Sequence, residues 1–408
     1  MKLLSISKTR NIAVQFLVLL LALIFGPFAL AQDPILVEDI NPGISSQVGI
    51  QPRQFLEVNG KVVFPGFEGM WATDGTTIGT ELIYPIGIYY TGQMFTQSGK
   101  VIFPGIESST GMELWQTDGT AEGTHIISDL NPGPRGSVEQ NQTPVTLAGR
   151  TFIRLSDGIN GFEPWVTDGS EEGTRMIRDI NPGSGNSGSK GFVQFNNEIY
   201  FYAYNGVNWG LWKTTSEGTD AQLIRSFPYI NALVASQDLL FIVVDSQHIW
   251  ISDGTSVGTT YLKNMGRSIS WIREFNGRAV FNVYYDGVWI TDGTLNGTQK
   301  LSADSSDGPF MQYGNILLFG GGSTYNRELW RSDGTPLGTY QLKDINPSGS
   351  SSPGLFLEFN GFVYFLASES VHGREIWRTD GTASGTVLAI EFISGLGSGQ
   401  VGRLTNAM

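Results

Sequence analysis

Apolar residues along most of the chain fall in short alternating runs separated by turn residues, the period-two pattern of half-buried strands. Residues 191–227 show it clearly. Phe192-Val193-Gln194-Phe195 predicts a first strand, Asn196-Asn197 a two-residue turn and Glu198-Ile199-Tyr200-Phe201-Tyr202 a second strand. Residues 206–209 predict a loop, 210–213 a third strand, and 222–224 lie in a fourth. Four short strands joined by tight turns make one propeller blade. The first turn recurs as Asn59-Gly60, Asn276-Gly277 and Asn360-Gly361. An Asn-Gly pair between apolar runs is a strong hairpin signal, because a type I′ turn needs positive φ at both positions.

Eight tryptophans keep the register of this pattern: Trp71, Trp115, Trp165, Trp212, Trp250, Trp289, Trp330 and Trp377. They stand roughly 40–50 residues apart, the spacing of four-stranded blades. After most of them comes an Asp-Gly-Thr turn, as at Asp74-Gly75-Thr76, Asp118-Gly119-Thr120 and Asp292-Gly293-Thr294. The glycine supplies permissive φ and the aspartate accepts local backbone bonds. Residues two apart in a strand share a face, so Glu113, Trp115 and Thr117 point one way and Leu114 and Gln116 the other. The indoles are expected to act as structural wedges between neighbouring blades.

A third landmark, Asp-x-Asn-Pro-Gly, follows the fourth strand at 129–133 and 179–183, with a near copy at 344–347. Another copy at 39–43 precedes the first Trp, so Ile35-Leu36-Val37 reads as a detached outer strand. Residues 386–389 supply an outer strand after the eighth Trp, and 401–404 resemble the start of an inner one. Eight repeats with a partial element at each end predict an all-β, eight-bladed propeller whose closure removes sheet edges. Seven blades with a leftover unit, or a non-closing array, are the alternatives. Repeats four to six are less regular: the Glu two positions before Trp is missing there, as is the Asp-x-Asn-Pro-Gly landmark.

The first 31 residues read as a signal peptide. Lys2, Lys8 and Arg10 precede an apolar run over 12–31 that ends in Ala29-Leu30-Ala31. Residues 32–408 are then a single domain, with no second apolar stretch long enough to span a membrane. The chain has no Cys, which removes disulfides and thiolate metal sites. Its net charge is −13, and losing the basic leader makes the remainder more acidic still. Such a surface disfavours nucleic acid and anionic membranes. The expected location is secreted, at the cell surface or in the periplasm.

The repeat unit carries a resemblance. Glu113-Leu114-Trp115 with Asp118-Gly119-Thr120, and Glu328-Leu329-Trp330 with Asp333-Gly334-Thr335, spell the full word of the ELWxxDGT repeat family of exported bacterial proteins. Glu375-Ile376-Trp377 with Asp380-Gly381-Thr382 changes only the Leu. The similarity covers about 35–404. It implies an exported propeller, often part of a larger surface-associated protein, with no shared catalytic residues to carry over.

Candidate chemistry is sparse. His125, His248 and His372 lie in three different repeats, which argues against a His-centred triad or metal site. Asp245, Glu274, Glu358 and Glu369 stand outside the repeated turns, and a converging pair would suit a secreted carbohydrate-active enzyme. Asp129 with Asn131, and Asp179 with Asn181, offer hard oxygen ligands to Ca²⁺, against the competing role of local capping. If strands run from inner to outer position, the Asp-x-Asn-Pro-Gly connectors and the pre-Trp loops share one face. Phe162, Tyr325, Arg327, His372 and Arg374 then become candidate contacts, since loops on a rigid scaffold favour recognition. The leading expectation is a non-enzymatic binding or surface-structural module for extracellular polysaccharide or a surface protein, with no cofactor other than calcium; the alternative is the paired-carboxylate enzyme.

Overall fold

The structure is a computed structural model that describes residues 54–66, 69–85, 93–139, 142–304, 306, 310–323 and 325–390, and the backbone of strands Lys2–Thr9, Val14–Leu21 and Val401–Ala407. It contains eight four-stranded antiparallel sheets, each with its strands in chain order, in a propeller-like repeat architecture. Sheets 1 to 8 span residues 56–84, 95–126, 145–176, 190–227, 230–264, 269–302, 310–343 and 354–390. The expected outer strand at 35–37 and the connector at 39–43 lie outside the described residues, as does much of the apolar segment assigned to the leader. No helix long and apolar enough to cross a membrane occurs among the described residues.

Sheet 4 shows how sequence becomes strand. Its members are Lys190–Phe195, Glu198–Tyr204, Trp209–Thr215 and Ala221–Phe227. Asn196 and Asn197 hold φ of 50° and 58°, the left-handed pair a type I′ turn requires. The Asn-Gly turns repeat it, with 50° at Asn59 and 76° at Gly60. The third strand starts at Trp209, inside the stretch expected to be loop. The reason is local: Asn205 Oδ1 accepts bonds from the Val207 and Asn208 amides, closing the turn early enough for Trp209 to pair with Tyr204.

Of the eight repeat indoles, each except the first packs in an apolar cluster shared with the preceding sheet. Trp115 joins Val63, Met70 and Ile83 of sheet 1. Trp165 meets Ile102 and Leu114 of sheet 2, and Trp212 meets Phe152 and Val166 of sheet 3. The same relation holds for Trp250, Trp289, Trp330 and Trp377. Close approach needs space on the neighbouring strand of the same sheet. A Cβ at Gly66 would lie 2.4 Å from the Trp71 ring and one at Gly321 would lie 2.8 Å from that of Trp330. Six indole N–H groups, those of Trp71, Trp115, Trp165, Trp212, Trp330 and Trp377, are buried and have no acceptor among the described residues. The rings are therefore placed for area rather than for hydrogen bonding.

The turn after the third strand is a repeated polar knot. In sheet 2, Asp118 Oδ1 accepts from the Thr120 amide (3.0 Å) and hydroxyl (2.6 Å), and Thr120 Oγ1 accepts from the Gly123 amide. Thr117 and Thr124 join hydroxyls at 2.7 Å, and Thr117 Oγ1 accepts the Gly119 amide. A Cβ at Gly123 would sit 2.0 Å from Asp118 Oδ1, which fixes the second glycine of the repeat. The knot recurs around Asp74, Asp168, Asp253, Asp292, Asp333 and Asp380. Sheet 4 replaces it with a simpler turn, in which Thr214 Oγ1 donates to the Asp220 carbonyl and the Gly218 amide to the Thr215 carbonyl.

Strand Val401–Ala407 runs beside the inner strand Gly354–Phe359 of sheet 8 and pairs antiparallel with Lys2–Thr9, which pairs in turn with Val14–Leu21. Replacing a wedge should open a cavity between two sheets at once. Trp165→Ala is expected to cost about 3–5 kcal/mol, measured by chemical denaturation, while Trp165→Phe should cost clearly less.

Candidate functional site

One face of the array is built by the connectors between sheets and the loops that precede each Trp. The Ser137 amide donates to the Met112 carbonyl (2.9 Å), Ser187 to Phe162 (3.1 Å) and Ser351 to Arg327 (3.0 Å). The Asn-Gly and Asp-Gly-Thr turns meet on the opposite face, where Asn59 Nδ2 donates to the Asp118 carbonyl of the next sheet (3.1 Å).

What fixes the connectors is the glutamate of the repeat word. Glu113, Glu163, Glu328 and Glu375 are completely buried. Glu163 accepts the amides of Ile180 and Ser187, both at 2.9 Å. Glu328 accepts the amides of Ile345 (2.7 Å) and Ser351 (2.9 Å) and the Ser351 hydroxyl (2.6 Å). Glu113 takes the Asn131 amide (3.3 Å) and the Ser137 hydroxyl. The Glu113, Glu163 and Glu328 carboxyls thus each staple both ends of the following connector. The sequence signal is co-occurrence: the repeats that lose this Glu also lose Asp-x-Asn-Pro-Gly. In sheet 6 Gly287 stands in its place, and Asn282 Oδ1 on the adjacent strand accepts the Ser306 amide instead (3.0 Å). Burial pushes the Glu113 and Glu163 carboxyls up to about 7, against the lowering pull of their hydrogen bonds.

The proposed calcium residues serve the same connectors. Asn131 Nδ2 donates to the Gly136 carbonyl (2.7 Å), Asn181 Nδ2 to Asn186 (3.0 Å), and Asp179 Oδ2 accepts the Gly183 amide (3.2 Å). Asp129 is exposed. No group of three or more His, Cys, Asp or Glu positioned to hold a metal occurs among the described residues.

The candidate contact residues all lie at the connector face. Phe162, Arg327 and Arg374 pair with Ser156, Gly322 and Ser368 near the starts of third strands in sheets 3, 7 and 8. Tyr325 is 88% exposed and His372 pairs with Glu369. Tyr325, Arg327, His372 and Arg374 occupy neighbouring sheets, whereas Phe162 stands four sheets earlier. The candidate carboxylates do not gather. Glu358 lies opposite Val363 and Glu369 opposite Gly373, at the two ends of one hairpin. Six residues of strand separate their levels by about 20 Å, well beyond the roughly 5–9.5 Å that glycoside chemistry uses. Asp245 lies in the loop before the third strand of sheet 5, and Glu274 caps the Asn276-Gly277 turn on the other face, accepting the Gly277 amide at 2.8 Å.

A cavity of about 460 Å³ opens among the inner strands of sheets 3 to 6. Arg154 of sheet 3, Lys190 and Tyr202 of sheet 4, Leu233 of sheet 5 and Arg273 of sheet 6 line it, with Glu139 and Gln142 from the connector before sheet 3. Arg154 is ion-paired with Glu139 and donates to the Ser189 carbonyl at 3.4 Å. Tyr202 donates its hydroxyl to the Asn231 carbonyl (3.1 Å), and burial raises its phenol to about 12. No repeat position marks these residues, and they converge only through packing of four sheets.

No protein-family model matches the chain, and no curated protein sequence does. Among solved structures it is similar to the computationally designed Ika8 protein, at 14% identity over 84% of this chain and 98% of that one, with a TM-score of 0.45. Puromycin hydrolase gives 11% identity over 87% of this chain and 54% of its own, TM-score 0.43. BamB from Moraxella catarrhalis gives 13% over 65% and 79%, TM-score 0.41. The chain thus spans about half the length of puromycin hydrolase.

The raised carboxyls set a pH dependence. A folded-state value near 7 for a group that ionises near 4.5 when unfolded contributes stability that is complete below the lower value and lost as pH rises through the upper. The turn aspartates act oppositely. The threonine or serine beside each of the seven holds its carboxyl low, so their stabilisation is lost as pH falls through that range. Melting midpoints should peak on the acid side of neutrality, and Glu163→Gln should flatten the decline between about pH 4.5 and 7. An unchanged slope in the variant would remove Glu163 from that account.

Proposed function

We propose that this chain is an exported binding module of the ELWxxDGT repeat family, a closed eight-bladed propeller whose connector face recognises extracellular polysaccharide or a surface protein. The observation that carries this reading is the division between repeated and unrepeated residues. The repeated Trp, Asp-Gly-Thr and Glu positions are spent on wedges, turn knots and connector staples, while the varied side chains stand on the face those staples hold in place. Rigid platforms with variable loops are suited to recognition. The separated carboxylates favour binding over glycoside cleavage.

Closure would seat Trp71 against sheet 8. There Phe359, Leu366 and Ile376, with Leu357, Tyr364 and Ile390 around them, form the one apolar cluster among the described residues that contains no indole from a following sheet. In a closed ring Trp71→Ala should destabilise about as much as Trp377→Ala, by about 3–5 kcal/mol. A much smaller loss at Trp71 would argue for an open array. Export with leader removal predicts an intact mass beginning at Gln32 for protein recovered outside the cytoplasm. A retained Met1 would keep Lys2–Thr9 available to pair with Val401–Ala407.

The binding reading is tested on a glycan array and a panel of surface proteins with the purified protein. Saturable binding that weakens on replacing Arg327 and Arg374 together supports the connector face. Absence of any ligand in both panels would overturn the reading in favour of a purely structural propeller.

A further inference from the structure

We infer that the cavity among sheets 3 to 6 is a seat for an acidic saccharide, a sugar carboxylate lying among Arg154, Lys190 and Arg273. The inference rests on the binding reading above and narrows it to a ligand class and a place.

Charge is the first ground. The chain has 38 acidic and 25 basic residues, yet this wall gathers three cations against the single carboxylate of Glu139. Glu139 is committed to Arg154. Lys190 is otherwise placed over the Trp209 ring at 6.0 Å, and Arg273 donates Nη1 only to the neighbouring Ile272 carbonyl (2.8 Å). Among the described residues these two positive charges have no ion-pair partner, in a molecule that is acidic overall. That excess suits one carboxylate or two, not a polyphosphate.

Unmet hydrogen bonds are the second. Ser189 is 1% exposed and lines the cavity, and its hydroxyl has no partner among the described residues. Arg154 Nε is buried in the same wall and has no hydrogen-bond partner among the described residues either. Buried polar groups in folded proteins are nearly always satisfied, and orphaned ones that line a cavity can be met by what enters it. A carboxylate offers two acceptor oxygens to a guanidinium edge, and sugar hydroxyls can both give to and take from a serine.

Shape supplies the third. About 460 Å³ falls in the range of small-ligand sites. Ile153, Leu233 and Ile272 give the cavity an apolar floor beside its polar rim. Next to Lys190 the wall continues into an aromatic ledge, with Trp209 5.9 Å from Tyr204 and 5.2 Å from Tyr229. Tyr229 is 43% exposed. A pyranose has an apolar C–H face and a polar hydroxyl edge, matching an aromatic ledge that leads into a cationic pocket.

The test is calorimetric titration of the purified protein with trimers of galacturonate, of alginate uronates and of hyaluronate, each beside its carboxyl-reduced counterpart. At least one acidic trimer should bind, with its reduced form weaker by about tenfold or more, and binding should weaken with added salt. Lys190→Met and Arg273→Gln lie at exposed side chains and should each weaken it severalfold without moving the melting midpoint. Arg154→Met should weaken it further, though its burial makes the two exposed variants the deciding ones. Equal binding of acidic and reduced trimers, or an unchanged affinity in the Lys190→Met/Arg273→Gln double variant, would overturn the cavity assignment and leave the binding reading standing. No heat with any acidic trimer would also overturn it, and the neutral-glycan and protein panels would then decide the broader reading separately.

Discussion

A four-stranded sheet of this protein cannot stand alone, and the indole between sheets is the interaction that resolves this. The central strands are buried on both sides: every residue of Leu240–Val244 is buried, as is every residue of Gly111–Thr117. Leaving either face in water would forfeit about 1.5–3 kcal/mol for each large apolar side chain. A tryptophan from the next sheet covers much of one face with a rigid ring. Glycines such as Gly66, Gly210 and Gly321 let the ring lie close to its own sheet. Stability is therefore a property of neighbouring pairs, which is why the pattern must repeat to be useful.

Polar residues then finish what the wedges begin. In seven of the eight sheets the outer turn satisfies its own donors and acceptors, with one aspartate, three hydroxyl residues and a second glycine whose lack of a Cβ leaves room for the carboxylate. These aspartates contribute much of the acidic excess, yet their oxygens already accept local bonds. The glutamate staple does the parallel work on the other face. Burying a carboxyl is costly, and at Glu113 and Glu163 the amides and serine hydroxyl it collects offset that cost only in part, which pushes these two carboxyls up to about 7. The gain is a connector held at both ends.

Much of this was legible in the sequence because it depends on short-range rules. The alternating runs, the Asn-Gly turns and the Trp register lead directly to eight sheets of four strands. The face shared by connectors and pre-Trp loops followed from strand direction alone. Glu113 was visible as a strand residue on the Trp side, but its bonds to Asn131 and Ser137 span a whole outer strand, and nothing local announces them. The hydrogen bonds of Asp179 and Asn181 were equally hard to foresee: their side chains were read as oxygen ligands, and the structure shows Asn181 Nδ2 turned onto its own loop. Arg154, Lys190 and Arg273 are further still from any local rule, since each is an ordinary residue of a separate sheet.

The irregularity of repeats four to six connects these observations. Ordinary decay of a repeat would scatter losses at random, whereas here the staple and the long connector disappear together. Between sheets 4 and 5 the connector shrinks to Pro228 and Tyr229, and between sheets 5 and 6 to residues 265–268. Without an Asp-x-Asn-Pro-Gly arch to hold, a buried glutamate at those positions would be a carboxyl with no donors, a state costing several kcal/mol. Its absence is the physical consequence of the shortened chain. Short connectors also leave little backbone to lie over the first strands of sheets 5 and 6, so Asn231, Leu233 and Arg273 border open space. The long connectors ahead of sheets 3 and 4 deliver Glu139, Gln142 and Ser189 to the opposite wall. The cavity thus sits where stapled repeats give way to unstapled ones, and the asymmetry of the array is what gives one sector of its connector face a pocket.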